Sequence, residues 1–341
     1  RSSRAVMRYS QIIESSSQMI PQLAIEGEAG CYDFENESDE ASWIADKIVH
    51  LKTYGSKLAN MNTVPTDECA VLARNRYVLA SLRDELGKRG IGYNERIASG
   101  GAASSESDLF NYFHTGLRLM TNPSDTLHLN RLNTEFSREE KFASFEEILT
   151  DDGTYDGLSL AASEALRAAW NCLVRSSALR FDLALDVLRN LCSTKEAFSG
   201  DDDRLLAVSD CEQWTKWWEK YCLSTGPSSR SLNGFLRALS LGEVLDSQQD
   251  GEGLTLSTIH LAKGLEFDVV FIIGLNEGTF PDYRSRTPAQ LDEERHSMFV
   301  AITRAKRICY VTRPKLRKMP WGDLRVQVPS RFFTELQSES R

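Results

Sequence analysis

The chain has 341 residues, of which 41% are hydrophobic and 26% charged, so it is long enough to bury one or two domain cores. Its 49 acidic and 40 basic side chains give a formal net charge of −9, which argues against a histone-like or uniformly basic nucleic-acid binder. No apolar run approaches the ~18 residues of a membrane helix, and no charged-then-apolar leader opens the chain. We therefore expect a cytoplasmic protein without a membrane span.

The cysteines are seven in number, scattered along the chain and never in C-x-x-C spacing. This usage predicts free and mostly buried thiols in a reducing cytosol, rather than a disulfide framework or a zinc site. We expect no metal site in this chain.

The chain opens with helical and acidic segments. Apolar residues at helical spacing predict a helix over residues 1–22. The segment 26–46 carries eight acidic side chains and no basic one. Part of it would form the first turns of a helix over Asp39–Leu51, where carboxylates suit the positive end of the helix dipole.

A compact strand-helix-strand pattern follows. Cys69–Ala73 is a short apolar run, Tyr77–Lys88 is an amphipathic helix, and Ile91–Tyr93 resumes extended chain. Such an alternation is the unit of a parallel α/β sheet.

The pattern from residue 106 to about 245 is almost purely helical. The predicted helices are Leu109–Met120, Leu158–Val174, Phe181–Leu191, Asp210–Tyr221 and Leu232–Leu241. Loops are predicted at Thr150–Gly153 and at Ser199–Asp203. Since no strand alternation or fixed repeat is visible here, the stretch predicts a helical insertion or a second domain.

The α/β pattern then returns. It consists of strands at Leu254–Thr258, Asp268–Gly274 and Ile308–Thr312 and a helix at Gln290–Ile302. The predicted fold class is therefore α/β, a parallel-sheet domain split by a mostly helical insertion, with boundaries at 1–103, 104–249 and 250–341.

Polar residues cluster in the turn between two of these strands. His260, Lys263 and Glu266 follow the strand ending at Thr258. We expect this turn at the carboxyl edge of the sheet, where ligands usually bind. The alternative is an ordinary solvated turn.

A second segment of interest is the helix that ends in Thr303-Arg304, just before a strand. An arginine fixed at a helix end can present its planar donor fork to a phosphate. The alternative is that the helix dipole alone favours a cation there.

Together these segments resemble the UvrD/Rep/PcrA family of superfamily 1 helicases. TIHLAKGLEFDVVFIIG, from Thr258, is similar to motif V of that family, and EERHSMFVAITRAKRICYVT, from Glu293, is similar to motif VI. GLNEGTFPDYRS, from Gly274, resembles the connecting loop, and Arg1-Ser2-Ser3 resembles the tail of motif IV. The resemblance implies a RecA-like domain 2A that carries an insertion domain 2B, the C-terminal half of a motor that binds ATP with Mg²⁺ between domains 1A and 2A.

The resemblance also implies roles for individual residues. Arg304 would reach the γ-phosphate as the arginine finger, Arg1 would have a similar task, and Glu266 would hydrogen-bond the nucleotide ribose. The residues implied to lie near single-stranded DNA are Thr258, His260, Lys263 and Arg74. Glu294 and Arg295 would brace the motif VI helix.

The sequence contains no G-x-x-x-x-G-K-[ST], and no apolar strand ends in an Asp-Glu pair. The Mg²⁺ ligands would therefore belong to a preceding 1A/1B half, and we expect no ATP hydrolysis by this chain alone. The implied partners are that N-terminal half, single-stranded DNA and single-strand/double-strand junctions, in DNA repair among other settings. Protein partners could bind through 2B.

Several alternatives stay open. A RecB/AddA-type helicase–nuclease shares these motifs, a degenerate motor could serve as a non-catalytic scaffold, and a small-molecule α/β enzyme lacks its usual glycine motifs here. The cluster Trp214, Trp217, Trp218 and Tyr221 could stack on bases or form a core.

Charge is segregated along the chain. Residues 254–341 hold 14 basic and 10 acidic side chains, a net +4, which leaves −13 for the remainder of the −9 total. This distribution predicts that the acidity lies away from the proposed cleft and that DNA is contacted through a narrow basic track.

Overall fold

The computed structural model of the chain describes residues 2–15, 24–96, 98–99, 102–103, 105–135, 141–174, 179–244 and 253–339. Two compact units are present. The first, here called the sheet unit, comprises Arg1–Ile97 and Gln248–Arg341, and the second, here called the helical unit, comprises Ala98–Ser247. The sheet unit is thus built from the two ends of the chain.

The strands of the described residues are β1 (Glu28–Asn36), β2 (Cys69–Ala73), β3 (Tyr93–Arg96), β4 (Ala98–Ser99), β5 (Ala102–Ala103), β6 (Leu254–Thr258), β7 (Phe267–Ile273), β8 (Ala305–Lys318) and β9 (Leu324–Val326). The helices are α1 (Arg4–Ile13), α2 (Glu37–Tyr54), α3 (Ala80–Arg89), α4 (Asp108–Thr121), α5 (Thr126–Glu135), α6 (Phe145–Thr150), α7 (Leu160–Val174), α8 (Phe181–Cys192), α9 (Asp201–Ser224), α10 (Leu232–Ser240), α11 (Pro288–Thr303) and α12 (Arg331–Glu339).

The sheet of the first unit has the order β1-β8-β7-β2-β6-β3, with every neighbouring pair parallel. The short strand β9 pairs in an antiparallel manner with the end of β8. The central strands β2 and β7 are apolar and buried because helices cover both faces of the sheet. One core contains residues of α1, α11 and α12, and the other contains residues of α2 and α3. The predicted α/β class with a parallel sheet is confirmed.

Most predicted elements are present with shifted bounds. The helix predicted over residues 1–22 ends at Ile13, and residues 16–23 lie outside the described part of the chain. The strand predicted at Ile308–Thr312 is much longer, since β8 continues to Lys318. The predicted loop at Ser199–Asp203 is wrong in part, because Asp201–Asp203 form the acidic first turn of α9.

Strand β1 is the main element that the sequence pattern did not predict. It lies at the edge of the sheet inside the acidic segment, and its register places Asp33 opposite Arg313 of β8. Ion pairs run along the two strands. They join Arg313 to Asp33 (2.5 Å), Lys315 to Glu35 (2.6 Å) and Arg317 to Glu37 at the start of α2 (3.0 Å).

These pairs correct the charge interpretation. The acidic segment does not stand apart from the basic C-terminal region but neutralises part of it. The side chains of Arg313 and Arg317 are only 6% and 2% exposed, so they are not available to a DNA backbone. The predicted narrow basic track would have to be built from other residues.

The helical unit is organised around aromatic side chains. Trp214 on α9 lies among Phe110 and Phe113 of α4 and Phe181 of α8, with ring centroids 5.5–6.3 Å apart. All four members of the aromatic cluster on α9 are buried. The base-stacking hypothesis for this cluster is therefore wrong, because its rings form the core of the unit.

Candidate functional site

The turn after β6 crosses one face of the sheet. Ile259 N donates to Ala73 O at 2.9 Å, and Leu261 N and Ala262 N both donate to Thr258 O. Ile259 and Ala262 are buried in the core, whereas His260 and Lys263 are exposed. The turn is therefore anchored by its apolar residues and presents its polar residues to solvent.

The two ends of this turn lie at opposite edges of the sheet. Thr258 and Ile273 both pair with Ala73, so Thr258 is level with the carboxyl end of β7. Glu266 directly precedes Phe267, the first residue of β7. Seven residues of strand span roughly 20 Å. Placing the whole turn at the carboxyl edge was wrong, because a connection between parallel strands must return to the amino edge.

Arg304 ends α11 at the same amino edge as Glu266. Its Nη1 donates to Leu265 O at 3.0 Å, and its carbonyl accepts from Phe267 N at 2.8 Å. The two residues that flank Glu266 are thus both hydrogen-bonded to Arg304. The structure brings the predicted finger and the predicted ribose ligand together, although 38 positions separate them in the sequence.

The Arg304 side chain is held by its own unit. Besides Leu265 O, it donates from Nε to Val300 O (3.0 Å) and from Nη2 to Thr303 Oγ1 (3.2 Å). A guanidinium carries five N–H donors, and these three bonds use three of them. The half-buried side chain is therefore oriented in advance and retains donors for an oxyanion.

Arg74 lies at the carboxyl end of β2 and forms an ion pair with a residue of α11. Its guanidinium binds Glu294 in a bidentate manner, with N–O distances of 2.7–3.1 Å. Burial alone would lower the pKa of Arg74, but the hydrogen bonds and charge of Glu294 outweigh burial and raise it. Glu294 also accepts from Asp282 N at 3.1 Å. Arg74 therefore braces α11, and its contact with DNA stays a prediction.

Arg295 also braces α11 within the sheet unit. Its two terminal nitrogens bind Glu335 of α12 at 2.6 and 2.8 Å, and one of them donates to Ile13 O at 3.0 Å. The contacts of Glu294 and Arg295 fit the bracing role that was expected of them.

The start of the chain runs beside β8 at the amino edge. Ser2 Oγ donates to Ala305 O at 3.0 Å, and Ser3 N donates to Lys306 O at 2.8 Å. Ser3 also caps α1 by accepting from Val6 N. Arg1, the other predicted phosphate ligand, lies outside the described residues. The segment that follows it is nonetheless tied to the residues next to Arg304.

Lys306 lies in a further cluster of charged residues, which the sequence pattern did not predict. Its Nζ lies 3.0 Å from Glu68 and 3.1 Å from Asp268. Burial opposes its charge, but the two carboxylates raise the pKa of Lys306. Register explains the cluster, since Glu68 precedes β2 and Asp268 is the second residue of β7 at the same edge.

No helix within the described ranges is both long and apolar enough to cross a membrane. Among these same residues, no group of three or more His, Cys, Asp or Glu side chains is placed to hold a metal ion.

A parallel α/β sheet that presents an arginine and a glutamate together at its amino edge is consistent with a RecA-like helicase domain. The chain matches the family described as the UvrD-like helicase C-terminal domain over residues 1–163 and 182–315. It belongs to that family.

Its curated relatives include helicases. The chain is 27% identical over 376 residues to the ATP-dependent DNA helicase PcrA of Bacillus subtilis (strain 168), an alignment that covers 99% of the chain and 49% of that protein. It is 29% identical over 355 residues to the ATP-dependent DNA helicase UvrD1 of Mycobacterium tuberculosis (strain ATCC 25618 / H37Rv), covering 90% and 43%. The chain thus spans less than half the length of these relatives.

Proposed function

We propose that this chain is the C-terminal motor half of an ATP-dependent DNA helicase or translocase. In this proposal the sheet unit is domain 2A, the helical unit is the insertion 2B, and a 1A/1B half supplies the Walker motifs and the Mg²⁺ ligands. The observation that carries the proposal is the hydrogen-bonded junction of Arg304 with the backbone on both sides of Glu266.

The residues at the amino edge suit a nucleotide. Glu266 is an exposed carboxylate, which can accept from ribose hydroxyls, and Arg304 offers an oriented donor fork to a phosphate. Bound ATP with Mg²⁺ would supply the phosphoryl group for hydrolysis. Arg304, together with Arg1, would stabilise the negative charge that develops on that group.

The residues toward the carboxyl edge suit single-stranded DNA. His260 and Lys263 are exposed on the turn, Thr258 begins it, and Arg74 lies one strand away. Lys263 can neutralise a backbone phosphate, which is the main source of affinity for DNA without sequence preference. We propose this strip as the part of the DNA track that the chain contributes.

The same turn would couple the two sites. A phosphate that binds the remaining donors of Arg304 would compete for its guanidinium and weaken the bond to Leu265 O, which is one of the anchors of the turn. The exposed residues His260 and Lys263 are carried by that turn and would shift with it. Nucleotide binding at the amino edge would thus change the contacts that the turn makes with DNA toward the carboxyl edge.

The test is Arg304→Ala in the full-length protein that contains the preceding motor half. ATP binding should persist, whereas DNA-stimulated hydrolysis should fall by roughly 10³–10⁵-fold, the usual worth of an arginine finger. Arg304→Lys, which keeps the charge but not the fork, should recover only a small part of the rate.

The matched control is Arg89→Ala. Arg89 is an arginine of the same unit that pairs with Asp46 and Glu85 on the surface, and its removal should leave hydrolysis unchanged. Circular dichroism establishes that each variant is folded. Unchanged turnover in Arg304→Ala would refute the finger assignment. A wild-type protein that binds DNA without any stimulated hydrolysis would favour the scaffold alternative.

A further inference from the structure

Two cysteines of the helical unit line one cavity. The cavity lies between α8 and α9 and has a volume of ≈ 420 Å³. Its wall includes Cys192, the last residue of α8, and Cys211 of α9. Arg189 and Lys216 also line it and are exposed, so a small solute can reach the thiols although both cysteines are themselves buried.

The two cysteines are neighbours. Both are free, they line the same cavity, and each thiol affects the pKa of the other. The backbone at Cys192 is also fixed to α9, because Arg204 donates to Cys192 O at 2.7 Å and to Ser193 O at 2.9 Å. The two cysteines therefore lie on packed helices, at a point where the backbone is already held.

The two sulfurs have unequal surroundings. The neighbouring Cys192 thiol and the nearby guanidinium of Arg189 lower the pKa of Cys211, in spite of its burial. The neighbouring Cys211 thiol and burial raise the pKa of Cys192. Cys192 also sits at the C-terminus of α8, where the helix dipole disfavours a negative charge. Cys211 is thus the better nucleophile, and Cys192 is a neighbouring thiol that can attack it.

We propose that Cys192 and Cys211 are a redox modification site, which peroxides convert to a reversible disulfide. The Cys211 thiolate attacks one oxygen of hydrogen peroxide, the O–O bond breaks, and the second oxygen leaves as hydroxide, which takes up a proton to become water. The resulting sulfenic acid is attacked at sulfur by Cys192, which forms the S–S bond and releases a second water. Two thiols are oxidised and one peroxide is reduced. Intracellular disulfides of this kind are usually transient and redox-sensing.

Peptide mapping of the unmodified sequence tests the proposal directly. Trypsin places Cys192 in the peptide 190–195 and Cys211 in 205–216, while Cys172 and Cys222 fall in 168–175 and 221–230. After one equivalent of peroxide and alkylation without reductant, we expect 190–195 and 205–216 to appear as one cross-linked species that a thiol reductant separates. The Cys172 and Cys222 peptides should remain alkylated.

Single substitutions assign the order of attack. In Cys192→Ser, Cys211 has no partner and should accumulate as a sulfenic acid that dimedone labels on 205–216. In Cys211→Ser, Cys192 should stay unlabelled, and Cys172→Ser serves as the control that retains the cross-link. Labelling of Cys192 in place of Cys211 would overturn the assigned order. If both peptides stay alkylated, or become sulfinic acids without a cross-link, the site itself is refuted, even where a variant fails to fold.

Discussion

Removal of the Arg74 guanidinium should destabilise the sheet unit because it leaves a buried carboxylate without its counter-charge. The side chain of Glu294 is 6% exposed and that of Arg74 is 29% exposed. In Arg74→Ala, Glu294 retains a hydrogen bond from Asp282 N but loses all three hydrogen bonds from the Arg74 guanidinium. The effect to be measured is a loss in the free energy of unfolding of the sheet unit.

The size of this loss follows from the burial. Removing one partner of a buried pair costs about 3–5 kcal/mol, most of which is the penalty of leaving the other charge unpaired. Because water reaches part of Arg74, we expect the lower end, about 3 kcal/mol. Adding Glu294→Gln should restore about 2 kcal/mol of it, since glutamine carries no charge and can still accept from Asp282 N.

Urea unfolding of the whole chain can resolve this effect from the helical unit. Four of the six tryptophans (Trp170, Trp214, Trp217 and Trp218) lie in the helical unit, so fluorescence reports mainly on that unit while far-ultraviolet circular dichroism reports on both. The Arg74→Ala change should move the transition seen by dichroism and leave the fluorescence transition in place. Arg89→Ala, which removes two surface ion pairs, should change neither appreciably.

The double variant also separates bracing from DNA contact. If Arg74→Ala/Glu294→Gln is no more stable than Arg74→Ala, the reasoning about an unpaired buried charge is wrong. If the full-length double variant binds single-stranded DNA with a salt slope that is shallower by about 0.7, Arg74 also contacts a phosphate. An unchanged slope would mean that Arg74 acts on α11 alone and that the predicted DNA contact is wrong.

Two further predictions concern buried acids. Burial raises the pKa of Glu40 to about 7, against hydrogen bonds from Thr312 Oγ1 and Gly274 N that favour its charged form; the folded state thus binds the extra proton. The stability that this proton provides should be fully present below the pKa that Glu40 has in the unfolded chain. It should be lost as the pH rises toward about 7. At about 1.4 kcal/mol per pKa unit the loss is about 3 kcal/mol, and Glu40→Gln should flatten this dependence in urea unfolding at several pH values. Asp210 accepts from Glu106 N, Ser107 N and Ser107 Oγ at 2.7–2.9 Å, so Asp210→Ala should destabilise the helical unit by about 3 kcal/mol in the fluorescence transition, and Asp210→Asn by less. A flat wild-type pH profile, or an alanine variant as stable as wild type, would contradict these two predictions.

The sequence predicted the buried strands better than the edge of the sheet. Cys69–Ala73 and Val269–Ile273 are continuous apolar runs, and both lie in central strands. Strand β1 escaped prediction because its exposed positions carry carboxylates, a pattern that also begins a helix. Its identity as a strand depends on basic partners in β8, such as Arg313, which are 280 residues away in the sequence. Local patterns carry no information about such a partner.

The helical unit shows a similar limit. An acidic run after Gly200 was predicted as a loop, yet Asp201–Asp203 begin α9 with carboxylates at the positive end of its dipole. The aromatic residues near Trp214 were correctly expected at helical spacing, but spacing does not say whether a stripe faces a core or a ligand. The packing of Trp214 against α4 and α8 shows that this stripe faces a core.

The proposed site was predictable in its residues but not in its arrangement. Thr258 and Glu266 are eight positions apart, and the parallel topology separates them by the height of β7, about 20 Å. Glu266 and Arg304 are far apart in sequence, and the same topology brings them together because both precede parallel neighbouring strands. A turn that spans the sheet from one edge to the other in so few residues has little freedom to move at one end alone. The bond between Arg304 Nη1 and Leu265 O holds the far end of the turn, so under the proposed function a ligand that competes for Arg304 would act on the whole turn.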